Sequence, residues 1–403
     1  MADVSINSAI AAASARGMRV VVFSSASIGY WFYFNSTADF EVAKTTDGGA
    51  SWTPLFEVDS DATITGVAFD VWFDKWTPGD SGTLIHICWF DDANDLVKYN
   101  TLDTSGDSLG TERTVFTGAT AVAGYGTFVS VTKTRSGYLY CAYDLDAGAE
   151  MGLHRSTDAG VNWSASLDAT FVEAANDHCM LFPASNTGDD NDCWAVYQDS
   201  SADALTLKMW DSSAGSATES ATIQSMVETI SDTVGQYGFS ASVRHSDGHL
   251  IIASMSARDT AAADHQVFDV NGTGSITELT AINTNKDDHY DPRVFIDQNT
   301  NDIYVAYRGK RDGLETLGTT TKVYYTKSTD DGTSWSAGDT AYQEGAADAG
   351  LQVWVPLMGD LFYVGWRVGT TLVGNAVNAV DVSAVGGASV IPVLMNQYRR
   401  RRA

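Results

Sequence analysis

Short, dense apolar runs alternate along the chain with polar, glycine-bearing turns. Seven runs share one character: Tyr30–Phe34, Leu84–Phe90, Tyr138–Tyr143, Cys193–Tyr197, Leu250–Met255, Ile303–Tyr307 and Leu361–Trp366. Four of them sit in the near-synonymous words YLYCAY, DCWAVY, DIYVAY and LFYVGW. A run apolar at consecutive rather than alternate positions belongs to a strand covered on both faces. A second β-type run precedes most of them, as at Arg19–Phe23, Phe128–Thr132, Ser240–Arg244, Pro292–Ile296 and Val353–Leu357. The link between the two runs is polar, as in Ser136-Gly137, Ser246-Asp247-Gly248 and Asn299-Thr300-Asn301, which is turn chemistry. Nothing in the pattern calls for a long helix.

A second marker runs in phase with the first. Three eight-residue stretches read [ST]-T-D-x-G-x-x-W: Thr45 to Trp52, Ser156 to Trp163 and Ser328 to Trp335. The aspartate accepts hydrogen bonds from the turn's own backbone, the glycine supplies a positive φ, and the tryptophan begins the return strand. Asp47, Asp158 and Asp330 lie 111 and 172 residues apart, close to two and three multiples of a unit of about 56 residues. Degenerate turns stand at the missing places: Asp103 to Gly106, Asp211 to Gly215, Asp269 to Gly272, and Asp381 to Ser383 with Gly386-Gly387. Each unit then reads as four antiparallel strands, a to d, with the aspartate turn joining c to d, which is the plan of a propeller blade. The expected fold is all-β, a seven-bladed β-propeller of four-stranded antiparallel blades at about 18–58, 64–118, 124–171, 177–225, 236–281, 288–343 and 350–396. Residues 1–17 form an N-terminal arm, read as a short helix or an added outer strand, and 397–403 a basic tail. The last unit is expected to supply its own d strand from Ser389 to Met395.

The three-turn pattern resembles the Asp-box (BNR) repeat of sialidase-like β-propellers, in which six blades are the alternative to seven. The resemblance makes Asp47, Gly49, Trp52, Asp158, Gly160, Trp163, Asp330, Gly332 and Trp335 structural turn residues, and places the binding face at the opposite end, among the b–c and d–a loops. Three successive b strands end there in arginine, at Arg258, Arg308 and Arg367, and Lys310 and Arg311 follow the second. Arginine's planar fork suits carboxylate or phosphate, and sialidases grip the sialate carboxylate with an arginine triad. Pairing with Asp259, Asp287, Asp288 and Asp312 is the structural reading of the same cluster. The resemblance also implies a tyrosine nucleophile activated by a glutamate, and an acid near the leaving group. Tyr290 is the one catalytic candidate. No glutamate is assignable to it, and the stretch comparable with the family's Arg-Ile-Pro motif reads Gly17-Met18-Arg19-Val20-Val21. Uncertain as enzyme, the chain reads first as a non-enzymatic structural or attachment component with a glycan ligand. The alternative is a sialidase-like glycoside hydrolase.

Composition narrows the partners. The 403 residues are 44% hydrophobic, with 17 Tyr, 16 Phe and 11 Trp against six Pro, enough for a large strand-rich core. A formal charge of −27 repels nucleic acid and anionic membranes over most of the surface. The exception is Arg399, Arg400, Arg401 and Arg402, a run that reads as a docking tail for an acidic partner, with nucleic acid only through this segment. A propeller with an arm and a basic tail resembles a decoration or tail-associated part of a phage virion, and virion is the expected location, assembled with other structural proteins. Neither an export signal nor a membrane span is legible. Cys88, Cys141 and Cys193 sit inside apolar runs and read as buried free thiols. Asp91 to Asp95 and Asn186 to Asp192 are oxygen-rich enough for a structural Ca²⁺ but lack EF-hand spacing, so solvated turns are the preferred reading and no cofactor is expected.

Overall fold

The computed structural model describes residues 4–7, 19–37, 39–60, 68–91, 93–118, 128–144, 151–168, 171, 178–184, 189–199, 204–225, 238–255, 265–282, 289–309, 322–336, 340–341, 353–368 and 371–376. These form an all-β β-propeller. Apart from Val4–Asn7 and Met358–Gly359, the described strands fall into seven sheets that follow one another in chain order. The first is Val21–Phe23, Gly29–Phe34, Phe40–Thr45 and Thr53–Asp59. The second is Phe69–Phe73, Leu84–Asp91, Leu96–Asp103 and Arg113–Thr117, with Ser108–Leu109 beside the third strand. The third keeps Phe128–Lys133, Leu139–Asp144 and Met151–Ser156. The fourth is His178–Pro183, Cys193–Asp199, Ala204–Asp211 and Ser216–Ser225. The fifth is Phe239–Val243, Leu250–Met255, His265–Val270 and Ile276–Glu278. The sixth is His289–Asp297, Ile303–Gly309, Lys322–Ser328 and the short Thr340–Ala341. The seventh holds Val353–Trp354, Tyr363–Val368 and Thr371–Ala376 from the end of the described chain.

Each sheet runs a to d outward, and neighbouring sheets are stitched through their inner strands. Val131 N donates to Asp70 Oδ2 at 2.9 Å, Leu181 N to Ser130 Oγ at 3.0 Å, Val294 N to Ser240 Oγ at 2.7 Å, and Arg293 Nε to the Val353 carbonyl at 2.8 Å. Ser254 joins the fifth sheet to Gln224 of the fourth. Trp31 meets Trp354 edge to face at 6.1 Å, which brings the seventh sheet back to the first. The b strands are buried along most of their described residues, as Gly29–Phe34 and Leu250–Met255 illustrate. That burial follows from their consecutive apolar residues, since both faces of such a strand meet a neighbouring sheet. All four cysteines are buried and unbridged.

Three expectations need correction. The fourth place in the last sheet is taken by Val4–Asn7, antiparallel to Thr371–Ala376, whereas Ser389 to Met395 lies outside the described residues. Part of the arm thus belongs to the ring. Ile6 is buried in the core, and Asn7 Nδ2 donates to the Tyr33 hydroxyl of the first sheet at 3.0 Å. The third sheet has three described strands. Among the described residues its fourth position holds an isolated bridge between Leu153 and Asp168, with Ser164 N and Leu167 N donating to the carbonyls of Arg155 and Leu153. In the fifth sheet the c–d turn is organised by Asn271, whose Oδ1 accepts from Thr273 N and Ser275 N, both at 3.0 Å. Asp269 instead bonds Arg244 and His249. The turns at Asp103 and Asp211 do close on those aspartates, and the one at Asp381 lies outside the described residues.

Candidate functional site

The three [ST]-T-D-x-G-x-x-W turns have one geometry. Thr45, Ser156 and Ser328 each donate a hydroxyl to Oδ1 of the turn aspartate, at 2.7, 2.8 and 2.9 Å. The same hydroxyls accept from the amides of Gly49, Gly160 and Gly332 at 2.8–2.9 Å. Oδ1 also accepts the amide of Ser51, Asn162 or Ser334 at 2.9 Å, and Oδ2 accepts that residue's side chain at 2.6 Å. These bonds hold Asp47, Asp158 and Asp330 below the usual carboxylate range. A carboxylate whose oxygens are engaged with its own turn is not available for acid–base chemistry.

The rest of each motif reaches to the preceding sheet. Trp52 Nε1 donates to the Tyr363 hydroxyl at 3.1 Å, Trp335 Nε1 to the Thr280 carbonyl at 2.7 Å, and Trp163 lies edge-on to Tyr99 at 5.2 Å. The glycines have φ of +87°, +87° and +78°, and a Cβ on them would overlap the rings of Tyr363 and Tyr99 and the Leu279 side chain. Glycine is therefore required twice, by its own backbone and by the neighbour pressed against it.

Buried ionic groups brace other joints. Arg19 pairs with Asp70 through both Nε and Nη2, and also donates to Ser130 Oγ and to the carbonyls of Val131 and Leu181 at 2.8–3.0 Å. Its guanidinium lies over the Trp72 ring at 4.9 Å. Asp74 accepts from Leu84 N, Lys133 Nζ and His86 Nε2 at 2.9, 2.5 and 2.9 Å, and His86 Nδ1 meets the Tyr99 hydroxyl at 2.7 Å. Burial raises the Asp74 carboxyl, but the His86 and Lys133 bonds outweigh it and hold the group at about 2. Burial also pushes His86 below its ordinary value despite the carboxylate beside it. Tyr99, His86 and Asp74 have the connectivity of a catalytic relay, yet each is buried, so no substrate reaches it.

An open cavity of about 290 Å³ lies at the end of the ring that carries the a–b hairpins. Its wall combines Phe23, Phe73, Trp76 and Met358 with Ser24, Ser25, Lys75, Asp80, Ser81, His245, Gln298 and Asp360, from the a–b connections of five sheets. It is axial, because His245 Nε2 of the fifth sheet bonds the Trp76 carbonyl of the second at 3.2 Å. That nitrogen must carry the proton. Burial holds the His245 imidazole below its ordinary pKa, so the neutral ring presents Nδ1 as an acceptor. Lys75 is exposed and, among the described residues, meets the Ser24 carbonyl at 3.5 Å and the Phe73 ring at 5.7 Å. Trp76, 1% exposed, has no acceptor for its Nε1–H among the described residues.

This end is opposite to the one expected from sequence. Of the residues expected there, Arg258, Lys310 and Arg311 lie outside the described residues, as do Arg399 to Arg402 of the tail. Tyr290, Arg308 and Arg367 are described by backbone alone. Tyr290 and Arg308 are direct ladder partners at one end of the sixth sheet, and Arg367 faces Leu372 in the seventh. Arg19, in the stretch compared with Arg-Ile-Pro, is buried against Asp70 and presents nothing to a ligand. The acidic runs act as turn acceptors where described: Asp189 for Asn191, and Asp91 for Asn94 and Lys98. Among the described residues no three metal-ligating side chains gather, and no helix is long and apolar enough to cross a membrane. Sequence reasoning missed the cavity because its wall is assembled from five separate turns. The one local signal was Phe73-Asp74-Lys75-Trp76, an aromatic and charged knot between two strands.

No protein-family model matches the chain, and no curated protein matches it. Solved structures do. The polysaccharide lyase PL25 ulvan lyase, bound to -[GlcA(1-4)Rha3S]-, is 11% identical and superposes with a TM-score of 0.58 over 93% of this chain and 94% of its own. The hydrazine synthase of Kuenenia stuttgartiensis is also 11% identical, with a TM-score of 0.51 over 92% and 97%. The SapL1 lectin in complex with alpha methyl fucoside is 11% identical over 78% and 93%, at 0.46. A lyase and a hydrazine synthase on one architecture establish the propeller fold and leave the activity to the site.

Proposed function

We propose that the protein is a non-enzymatic binding propeller that holds a glycan and serves as an attachment part of a larger assembly, docked through its basic C-terminal run. The observation that carries this reading is the fate of the ionisable side chains. Among the described residues, Asp70, Asp74, His86, Lys98, Lys133 and Arg244 are each fixed by ionic partners, and the turn aspartates are engaged with their own backbones. General acid–base catalysis needs a group that meets the substrate and exchanges its proton. The polar residues lining the axial cavity carry hydroxyls, one ammonium, a neutral imidazole, an amide and two carboxylates, suited to holding a ligand. That a propeller of the same fold is bound to a saccharide in the ulvan lyase structure agrees with the ligand class.

The reading includes two points of architecture. Each of the seven sheets is taken as one blade, and the three recurrent turns as Asp boxes. A six-blade count would merge the sixth and seventh sheets. The ladder between them is the two-residue parallel pairing of Ile296 and Asp297 with Met358 and Gly359. No observation favours sialidase chemistry over binding. The test is retention of the full chain on an array of immobilised glycans, run beside turnover of a fluorogenic sialoside. Retention without release of the fluorophore is expected. Release that Arg308→Ala abolishes would overturn the non-enzymatic reading, and no retention on any glycan would remove the ligand.

A further inference from the structure

We infer that the axial cavity is the binding site for a single uncharged pyranose ring, the terminal unit of a glycan. This deepens the glycan-binding reading above and rests on it. Size comes first. Pockets for drug-sized ligands hold about 300–1,000 Å³, so a cavity of about 290 Å³ sits at the floor of that range and suits one ring.

The chemistry of the wall then selects the ring. Phe23, Phe73, Trp76 and Met358 make an apolar floor, each 4% exposed or less. A pyranose presents a C–H face to such a floor and a rim of hydroxyls to its surroundings. The other lining residues supply both donors and acceptors: the Lys75 ammonium, the hydroxyls of Ser24, Ser25 and Ser81, the His245 imidazole, and the carboxylates of Asp80 and Asp360. Asp80 is paired with Lys133 at 2.8 Å and Asp360 accepts from Asn299 Nδ2 at 2.6 Å, so both are already oriented. A carboxylate accepts well from a pair of sugar hydroxyls.

Charge excludes the main competitor. An anion, whether sulfate, phosphate or an acidic sugar, would meet the Asp360 carboxylate and the Lys133-paired Asp80 carboxylate against one ammonium and a neutral imidazole, in a protein of formal charge −27. A neutral polyol carries no such penalty. The site is made by the ring as a whole, since its wall draws on the first, second, fifth, sixth and seventh sheets.

Saturation-transfer NMR on the full chain, with methyl glycosides of fucose, rhamnose, galactose, glucose and mannose as separate probes and sulfate and phosphate as competitors, tests the assignment. At least one glycoside is expected to receive saturation through its ring protons, undisturbed by either anion. Its affinity is expected to fall about tenfold or more in Lys75→Ala, as the loss of a charged hydrogen bond implies. Ser81→Trp fills the cavity from an exposed loop without disturbing a buried contact, and is expected to abolish the signal. Glu57→Gln, on the outer strand of the first sheet, is expected to leave it unchanged. Glycan retention on the array with glycoside binding equal in wild type and Ser81→Trp would overturn the site while leaving the binding function. Displacement by sulfate would overturn the uncharged ligand. Absence of both array retention and glycoside saturation would overturn the site together with the function it rests on.

Discussion

Gly160 and Gly137 look alike from the sequence and differ in what surrounds them. Both have positive φ, +87° and +93°, but a methyl group at Gly137 meets nothing within 4 Å, whereas at Gly160 it overlaps the Tyr99 ring of the preceding sheet. Alanine at Gly137 is expected to cost the backbone term alone, about 1–2 kcal/mol. At Gly160 it adds an overpacking term of about 1–3 kcal/mol. Urea unfolding of the two variants checks this, and equal losses would refute the inter-sheet contact. Protonation acts at the same scale. Burial depresses the pKa of His86, His154 and His245, so the unfolded chain binds protons more readily than the folded one once the pH drops below about 6.5. The stability they contribute is complete above that value and is lost as the pH falls toward the folded values. Melting temperatures are expected to decline between pH 7 and 5, with a shallower slope in His154→Gln. A flat profile would contradict the buried neutral imidazoles.

At the scale of strands and joints, two elements hold neighbouring parts of the ring together. Val4–Asn7 covers the edge of Thr371–Ala376, and an uncovered edge strand is a template for self-association. Deleting residues 1–7 is expected to lower the melting temperature and to produce larger species in size-exclusion chromatography. Unchanged behaviour would mean that the strand adds nothing. Arg19 and Asp70 form the second element, with side chains 3% and 0% exposed. Truncating either strands the other charge, at a cost of about 3–5 kcal/mol. The double variant Arg19→Met, Asp70→Leu is expected to lose much less than the sum of the single losses, and additive losses would show that the two do not act as a pair. The hairpins were legible in sequence because apolar runs and aspartate turns are local. The braces were not, because Arg19 meets residues 51, 111 and 162 positions away, and no periodicity encodes such meetings. The motif turns were half legible. The Asp47 turn could be read from eight residues, but its hold on Tyr363 could not.

For the molecule as a whole, the contacts that cross the middle matter most. Arg19 of the first sheet reaches the Leu181 carbonyl of the fourth, and His245 of the fifth reaches Trp76 of the second. The propeller is therefore braced across its axis as well as around its rim, and the axial cavity sits beside one of these cross-axis contacts. The sequence pointed to the arginine-bearing end for binding, because strand-end arginines can be seen in a linear text. A cavity made of five turns cannot.

The Trp52 to Tyr363 bond also sets a timetable. Its partners are 311 positions apart, so at a synthesis rate of about 5–20 residues per second the first turn waits roughly 15–60 s for the ring that completes it. During that interval Trp52 and the Val4–Asn7 strand have made no native contact with the last sheet, and both are exposed to chaperones and to neighbouring nascent chains. Closure of the ring through these contacts therefore waits for synthesis of the seventh sheet. Ribosome-bound chains ending before Tyr363 should be cut by protease near the N-terminus, and chains extended past Ala376 should resist.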